Sequence, residues 1–416
     1  MKSFIKKIIQ NMARMVINKF QPGIVAITGN VGKTSTKDAI ALLLSSRYRV
    51  EASRGNYNNE FGVPLTILGK DSPGSSPLGW LRVLLRGLRL VLWSDAKYPE
   101  ILVLEYAIDH PKDMDVLLSI AKPNVAVITP IGEAPSHLEF FDSLSDLVAE
   151  KVKLIKALSK DGLAVLSADD KNVKRQHGKT KARVLTYGMD REANFYASNF
   201  IGGESETITL GLNFKVEFSG NTIPVKLPKV LSKFQAVAVA AALAVGTHFD
   251  INLVESSKFL ESFTPPKGRM NVLPGIKGTT IIDDSYNSSP KACAAALEVL
   301  GEQKAIRKIA VLGDMKELGE KTEEAHEEIV KMAEGVADIV ITVGDSSKFI
   351  SESANHFDAA EEAGRYLQDE VIKAGDIILV KASQSIRLEK VVKELMLHPE
   401  KAKELLVRQG EEWNKD

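Results

Sequence analysis

One glycine-rich turn constrains this chain more than any other feature of its sequence. An apolar segment, Ile24–Thr28, leads into the turn, and Thr34–Leu44 follows it with the pattern of a helix. Glycines at such a turn let backbone N–H groups face a phosphate, while a lysine reaches the outer phosphates and a hydroxyl holds Mg²⁺. Without a nucleotide, the same pattern is only a tight strand-to-helix connection with an incidental lysine. The predicted phosphate-binding residues are Gly29, Asn30, Val31, Gly32, Lys33, Thr34 and Ser35.

Apolar runs alternate with helical segments on both sides of a Pro-Pro-Lys-Gly sequence at Pro265–Gly268. Before it, the chain predicts a parallel-sheet P-loop ATPase domain of the α/β class with helices on both faces. That domain also carries a small antiparallel patch and an alanine-rich helix, Phe234–Val245. After it, a second alternating series predicts a smaller, Rossmann-like α/β domain. The strand candidates are Ile101–Leu104, Val125–Thr129, Thr207–Leu212, Lys215–Phe218, Thr279–Asp283, Lys308–Leu312, Ile339–Val343 and Ile377–Val380.

The length of 416 residues and the Pro- and Gly-containing breaks in the pattern suggest that the chain has three parts. We expect a basic amphipathic helix over residues 1–22, a central ATP-binding domain over 23–264, and a C-terminal domain over 265–416. Residues 72–99 resemble a basic insertion within the central domain. Residues 1–99 as a whole carry fifteen Lys or Arg against five Asp or Glu, so the remainder is acidic.

Composition excludes several classes of protein. A formal net charge of zero argues against a bulk nucleic-acid binder. A single cysteine, Cys293, excludes an internal disulfide and a cysteine zinc site, and with no secretory signal pattern we expect a cytoplasmic protein. The longest apolar stretch is interrupted by three arginines, Arg82, Arg86 and Arg89, so no membrane-spanning helix is predicted.

Two further polar residues follow strands of the first predicted sheet. Glu105 ends the run Ile101–Leu104, at the carboxyl edge where ligands of parallel sheets bind and where a metal-binding carboxylate is expected. His137 lies in the loop after the next strand. Each has an ordinary alternative, because an isolated Glu often caps a helix and a loop His is usually a surface or packing residue.

Taken together, the motifs resemble the Mur ligases of cell-wall synthesis, and most closely the type that adds D-alanyl-D-alanine. The resemblance runs in order from about residue 23 to about residue 395. It rests on the phosphate loop, Arg54–Thr66, Val103–Glu105, His137–Phe141, Lys267–Val272, Ile281–Asn287 and Val311–Glu320.

The resemblance implies roles for individual residues. Lys33 matches the phosphate-binding lysine, and Thr34, Glu105 and His137 match ligands of two Mg²⁺ ions. Lys151 matches a lysine that is carbamylated and so offers a carboxylate to the second ion; Lys153 is the alternative. In the C-terminal domain, Arg269 matches an arginine that reaches the γ-phosphate. Asp283 or Asp284 matches the nucleotide-contacting aspartate, and Asn287 follows in the same motif.

The activity implied is that of an ATP-dependent peptide ligase of peptidoglycan precursor synthesis. It would add D-alanyl-D-alanine to a muramyl-tripeptide through an acyl phosphate, acting as a monomer on small-molecule substrates. The helix that begins Phe234-Gln235 lacks the family's usual His-Asn pair, so ATP rather than GTP is inferred from resemblance alone. The run Lys381–Arg387 also departs from the family pattern, which leaves the incoming amine open.

The N-terminal region departs furthest from the family. About twenty-two residues precede the first strand, too few for the separate domain with which this type of ligase binds a uridine nucleotide sugar. Two alternatives therefore stay open: a Mur-like ligase for another carboxylate, such as a lipid-linked one, and a non-catalytic nucleotide-binding regulator. The basic segments 1–20 and 78–93 are candidates for contact with a membrane surface or a protein partner, or for a helix simply packed on the domain.

Overall fold

The computed structural model describes residues 2–55, 57–133, 135, 137–203, 211–346, 355–410 and 413. These residues form two compact units, each described here by itself. The first unit comprises Met1–Phe200, Asn213–Lys226 and Phe234–Phe263, and the second comprises Ile201–Leu212, Leu227–Lys233 and Thr264–Asp416.

The first unit is a sheet of nine strands with helices packed on it. Its strands are β1 (Gly23–Thr28), β2 (Val50–Ala52), β3 (Ile101–Glu105), β4 (Val125–Ile128), β5 (Leu163–Ser167), β6 (Arg183–Gly188), β7 (Phe195–Gly202), β8 (Leu212–Phe218) and β9 (Asn221–Leu227). Its helices are α1 (Lys2–Phe20), α2 (Lys33–Ser45), α3 (Gly62–Leu68), α4 (Pro77–Leu92), α5 (Asp113–Ile120), α6 (Leu144–Lys156), α7 (Lys171–Lys174), α8 (Lys233–Gly246) and α9 (Leu253–Leu260).

The order of the strands places β1 between β3 and β4, in the parallel part of this sheet. The order is β2-β3-β1-β4-β5-β6-β7-β8-β9, with parallel pairing from β2 through β7. All residues of β3, β4 and β5 are buried, as expected for parallel strands covered on both faces. In the pairing of β1 with β3, Ile27 lies beside Glu105, so that carboxylate stands next to the start of the glycine loop.

The edge of the sheet formed by β8 and β9 is antiparallel. Neighbouring strands β8 and β9 are joined by only two residues, Ser219 and Gly220, a connection that only antiparallel strands can make. Buried and exposed residues alternate along both strands, which is the pattern of a sheet with one solvated face. The predicted antiparallel patch is therefore present, while most of the predicted strand Thr207–Leu212 lies outside the described residues.

The second unit is a sheet of six strands, ordered β10-β11-β15-β12-β13-β14. Only the β10–β11 pair is antiparallel, and the other four pairs are parallel. Its strands are β10 (Asn271–Pro274), β11 (Thr280–Asp284), β12 (Arg307–Gly313), β13 (Ile339–Val343), β14 (Asn355–Phe357) and β15 (Asp376–Lys381). Its helices are α10 (Pro290–Gly301), α11 (Thr322–Glu334), α12 (Ala360–Tyr366), α13 (Glu389–Leu395) and α14 (Ala402–Leu405).

Separate apolar clusters cover the two faces of this second sheet. Ile281, Val311 and Val380 belong to one cluster, and their chain neighbours Ile282 and Leu312 belong to the other. Alternation along each strand thus sends successive side chains to opposite faces. Cys293 of α10 lies in the second cluster, where burial raises the pKa of its thiol to about 11.

The α/β fold class predicted from the sequence is confirmed, and the differences are local. Strand β11 begins and ends one residue later than the predicted Thr279–Asp283, so Asp284 also lies in the strand, and pairing with β15 fixes both aspartates. Strand β2 and helix α3 were not predicted, because both are short and have no strong periodic pattern of apolar residues. The boundaries 1–22, 23–264 and 265–416 stay predictions.

A buried ion pair ties the C-terminal segment to the strand that carries these aspartates. Arg408 donates from Nη1 to Glu389 Oε2 at 2.8 Å, and the Glu389 side chain is fully buried. The same guanidinium donates to the backbone oxygens of Ser285 and Tyr286, just beyond β11. Arg387 also contacts Glu389, which leaves that carboxylate between two arginines.

We expect Arg408→Met to lower the free energy of unfolding by about 3 kcal/mol, because it leaves a buried carboxylate with an incomplete set of partners. Denaturant titration of the purified chain measures the change. Arg365→Met is the control, since that arginine is exposed on α12 and its loss should cost under about 0.5 kcal/mol. Equal effects of the two substitutions would contradict the assignment.

Candidate functional site

The glycine loop lies between β1 and α2 and is held against the end of β4. Gly29 has φ 141° and Gly32 has φ 80°, values that favour glycine. A Cβ on Gly29 would lie 2.0 Å from Thr129 Oγ1, so no side chain fits there. The backbone N–H groups of Asn30 and Val31 donate to Pro130 O at 2.9 and 3.0 Å. The loop is therefore pinned at its middle by the neighbouring strand.

Helix α2 begins directly after this turn, and its first residues provide the groups that can bind an anion. The N-cap is Gly32, which has no side chain to accept a hydrogen bond from the first turn. The amide groups of that turn are therefore available to a ligand at the N-terminus of the helix. Lys33 is the first helical residue, and its Nζ donates to Asn30 O at 3.2 Å. A helix N-terminus beside a lysine is suited to bind an anion such as a phosphate.

Thr34 and Glu105 meet at the foot of this helix. Thr34 Oγ1 lies 3.1 Å from Glu105 Oε2, and the other carboxylate oxygen accepts from Asn58 Nδ2 at 3.3 Å. Glu105 is buried at the end of β3, and its backbone N–H donates to Ser53 Oγ at 3.2 Å. A hydroxyl and a carboxylate oxygen in contact form part of an oxygen-rich site of the kind that Mg²⁺ prefers.

Lys151 of α6 reaches the same loop from the opposite side. Its Nζ donates to Gly29 O at 3.1 Å, and the side chain is almost fully buried. Burial, and next the positive charge of Lys33, lower the pKa of Lys151 to about 7, although Asp109 and Glu150 oppose the shift. The amine is therefore partly neutral near pH 7, and a neutral amine is the form that can react with CO₂.

Lys153, the alternative lysine, faces elsewhere. Its Nζ lies 2.6 Å from Asp115 Oδ2 and 2.8 Å from Glu150 Oε2. Although partial burial lowers its pKa, the hydrogen bonds to those two carboxylates raise it above the ordinary value. Lys153 is thus a charged partner in an ion-pair group, and Lys151 is the lysine at the loop.

His137 lies at the border of this group. Its backbone is left-handed, with φ 67°, and its Nε2 lies 3.5 Å from Asp109 Oδ1. Asp109 follows β3 by four residues and acts electrostatically on Lys151, so it links His137 to the buried lysine. Within the described residues, no group of three or more His, Cys, Asp and Glu side chains is arranged to hold a metal ion.

The second unit brings together the residues predicted from its β11 motif. Asp284 Oδ2 lies 2.7 Å from Nζ of the buried Lys381, which also donates to Asn287 O at 2.9 Å. The Arg269 guanidinium lies 4.2 Å from the centre of the Tyr286 ring, a cation–π contact. Burial raises the pKa of Asp283 to about 6, against hydrogen bonds from Ser285 that lower it.

Four residues of these two groups were not predicted from the sequence as site residues: Asn58, Ser53, Asp109 and Lys381. Asn58 lies inside the motif Arg54–Thr66, so the family pattern could have indicated it. Asp109 and Lys381 follow or end an apolar strand, which is the same signal that identified Glu105. Ser53 carries no signal that distinguishes it from any other loop serine.

Two family models match most of the chain. The family model described as "Mur ligase middle domain" matches residues 27–75 and 86–246, and the model "Mur ligase, glutamate ligase domain" matches 268–384. The chain belongs to the Mur ligase family. The matched ranges contain every predicted site residue, and they leave out residues 76–85 and all of α1.

Individual relatives within the family share one enzyme name. The UDP-N-acetylmuramoyl-tripeptide–D-alanyl-D-alanine ligase of Bacillus subtilis is 28% identical over 401 residues, which cover 94% of this chain and 79% of the relative. The enzyme of the same name from Rickettsia prowazekii is 29% identical, covering 92% and 80%. The crystal structure of MurF ligase from Thermotoga maritima in complex with ADP superposes with a TM-score of 0.77 at 29% identity, covering 94% of this chain and 83% of that one.

The depressed pKa of Lys151 makes a prediction about stability. The folded amine loses its proton near pH 7 and the unfolded one near pH 10.5, so the unfolded chain binds more protons between these values and stability rises with pH. In CO₂-depleted buffer, we expect Lys151→Met to remove about 1.4 kcal/mol of that rise per pH unit between pH 7.5 and 9.5. Denaturant titrations at several pH values measure it.

The matched control is Lys153→Met. Because the pKa of Lys153 is raised, that lysine stays protonated in both states below pH 10, and its loss should leave the pH slope unchanged. The same slope in all three proteins would mean that Lys151 is charged in the folded state.

Proposed function

We propose that this chain is an ATP-dependent ligase that joins D-alanyl-D-alanine to UDP-N-acetylmuramoyl-tripeptide. The observation that carries the proposal is the contact of Thr34 with Glu105 at the N-terminus of the helix that follows the glycine loop. Relatives that align over more than nine-tenths of the chain are named for this reaction. ATP as the nucleotide is supported by the ADP complex of the Thermotoga maritima relative.

The reaction divides into two transfers. A carboxylate oxygen of the tripeptide attacks the γ-phosphorus of ATP, the bond to the bridging oxygen breaks, and ADP leaves. The amine of D-alanyl-D-alanine then attacks the acyl phosphate at its carbonyl carbon, and the tetrahedral intermediate expels phosphate and loses a proton to form the amide. The first step gathers negative charge on phosphoryl oxygens. The second gathers it on the former carbonyl oxygen and then on the departing phosphate, so fixed positive charge stabilises both.

Residues of the first unit meet this requirement. Lys33 and the first-turn amides of α2 face the phosphates, and the pinned loop keeps them in place without further ordering. Thr34 and Glu105 offer oxygen ligands for Mg²⁺, which when bound neutralises phosphate charge. In the second unit, we assign the contact with the γ-phosphate to Arg269 and further nucleotide contacts to Asp283, Asp284 and Asn287.

A second Mg²⁺ needs another anionic oxygen, and we propose that Lys151 supplies it as a carbamate. Its neutral amine adds to the carbon of CO₂ and loses a proton, which replaces a buried cation with a carboxylate. Two observations support this: the pKa of about 7, and the position of Nζ at the loop beside Lys33. The product would lie close to the half-buried Lys33, so it would replace repulsion between two lysines with attraction between opposite charges. His137, held by Asp109, is the proposed remaining ligand.

We expect Lys33→Ala to reduce kcat for ADP formation by at least about a hundredfold, because one charge that faces the transferred phosphoryl group is lost. The assay contains the purified chain, Mg²⁺, ATP, UDP-N-acetylmuramoyl-tripeptide and D-alanyl-D-alanine, with the ligated product identified by mass. Lys160→Ala, an exposed lysine after α6, is the control and should retain full activity.

Substrate omission decides between the alternatives. ADP formation that requires both substrates supports the proposed reaction. ADP formation that is absent with UDP-N-acetylmuramoyl-tripeptide but appears when a lipid-linked carboxylate replaces it, with D-alanyl-D-alanine present, would indicate another carboxylate. No nucleotide turnover, with ATP still bound, would identify a regulator.

Carbamylation has a direct readout that does not depend on activity. With isotopically labelled bicarbonate, we expect a carbamate resonance in the NMR spectrum of the native chain, increasing from pH 7 to pH 8.5 as the amine loses its proton. Lys151→Arg should abolish the resonance and Lys153→Arg should retain it. A resonance that survives in Lys151→Arg would assign the modification to another lysine.

A further inference from the structure

Helix α4 exposes a stripe of large apolar side chains. We call this set the leucine stripe: Leu78, Leu81, Leu85, Leu88 and Leu92, with Trp93 at its end. The five leucines recur at spacings of three and four residues, so they lie along one side of the helix. Their exposed fractions run from 45% to 69%, and that of Trp93 is 62%. Described residues of the chain thus leave this side of α4 open to solvent.

The opposite side of α4 is already packed. Val83, Gly87 and Leu90 are buried in the core that α4 shares with α1 and α3. A Cβ on Gly87 would lie 2.9 Å from Met12 Sδ, which shows how closely the two helices approach. Because the helix is fixed by this contact, the leucine stripe is a second apolar side and not a core face awaiting cover.

A row of arginines runs beside the leucine stripe. Arg82, Arg86 and Arg89 recur at spacings of four and three, which places them next to the leucines on the same exposed half of the helix. Arg86 Nη1 lies 3.1 Å from Asp95 Oδ2. The other two are exposed, and no carboxylate of a described residue lies within ion-pair distance of either.

The neighbouring helix has the same sign of charge. By sequence, α1 contains five Lys or Arg residues and α4 contains three, while neither helix contains an Asp or a Glu. The apolar residues Phe4 and Met15 are also exposed on α1. The two packed helices therefore present apolar and cationic side chains and no acidic ones.

We propose that α4 and α1 bind the surface of an anionic lipid bilayer. A convex helix with an apolar stripe, an adjoining arginine row and a terminal tryptophan suits a bilayer interface, where the leucines enter the acyl boundary and the arginines meet headgroup phosphates. A symmetric second copy is disfavoured because its α1 and α4 would add eight basic residues, and neither helix has an Asp or Glu to pair with them. The family models match neither α1 nor residues 76–85, so part of this surface lies outside the matched ranges.

The test is co-sedimentation of the full chain with vesicles, and it does not depend on the proposed ligase activity. We expect binding to equimolar phosphatidylglycerol and phosphatidylcholine, and at least about tenfold weaker partitioning onto phosphatidylcholine alone. Leu81→Ser, Leu85→Ser and Leu88→Ser combined should weaken binding about tenfold or more, as should Arg82→Glu with Arg89→Glu. All these side chains are exposed, so the thermal midpoint should stay unchanged, which checks folding.

Matched controls come from the second unit. Ile306 is 78% exposed, and Arg365 is exposed on α12. Ile306→Ser and Arg365→Glu should bind vesicles as the unmodified chain does. A lipid with brominated acyl chains should quench tryptophan fluorescence, and Trp93→Phe should reduce that quenching.

Three results would overturn the proposal. The first is no sedimentation with anionic vesicles. The second is binding that the leucine and arginine substitutions leave intact. The third is a dimer in sedimentation equilibrium that the leucine substitutions dissociate, without lipid binding, which would assign the stripe to a second copy of the chain.

Discussion

The absence of a side chain at Gly29 is the constraint on which the candidate site depends. Because any Cβ there would collide with Thr129, the turn after β1 can close onto β4 only with glycine. That closure lets Pro130 O accept from the two following amides, and it directs Gly29 O toward Lys151. Helix α2 then starts where its first turn faces outward. One steric contact thus sets the positions of a helix, two lysines and the carboxylate beside them.

The candidate site places two lysines close together. Two lysines, Lys33 and Lys151, lie close enough for one to depress the pKa of the other. Burial alone already disfavours a cation at Lys151, so the unmodified protein holds an amine that is easily deprotonated. The second unit also buries a lysine, but there Lys381 has Asp284 as an ion-pair partner that compensates its charge. One buried lysine thus has its pKa lowered by burial and a neighbouring cation, and the other is neutralised by a carboxylate.

Much of this architecture could be predicted from local sequence signals. The glycine turn, the strand ending in Glu105 and the alternation of strands and helices are local patterns, and each is present in the structure. Asn58 and Asp109 were missed because their roles come from tertiary proximity: one carboxylate oxygen brings in Asn58, and a loop brings Asp109 to His137. The side of α4 that faces solvent was also undetermined, because leucines on both sides of a helix have the same periodicity.

Cys293 has a consequence for studying the second unit. It is the only cysteine, it lies in the core of that unit, and burial holds its thiol in the protonated, unreactive form. Any thiol reagent that modifies the native chain must therefore wait for this core to open. The rate of that reaction therefore measures local opening of the second unit, with no engineered label and no substitution.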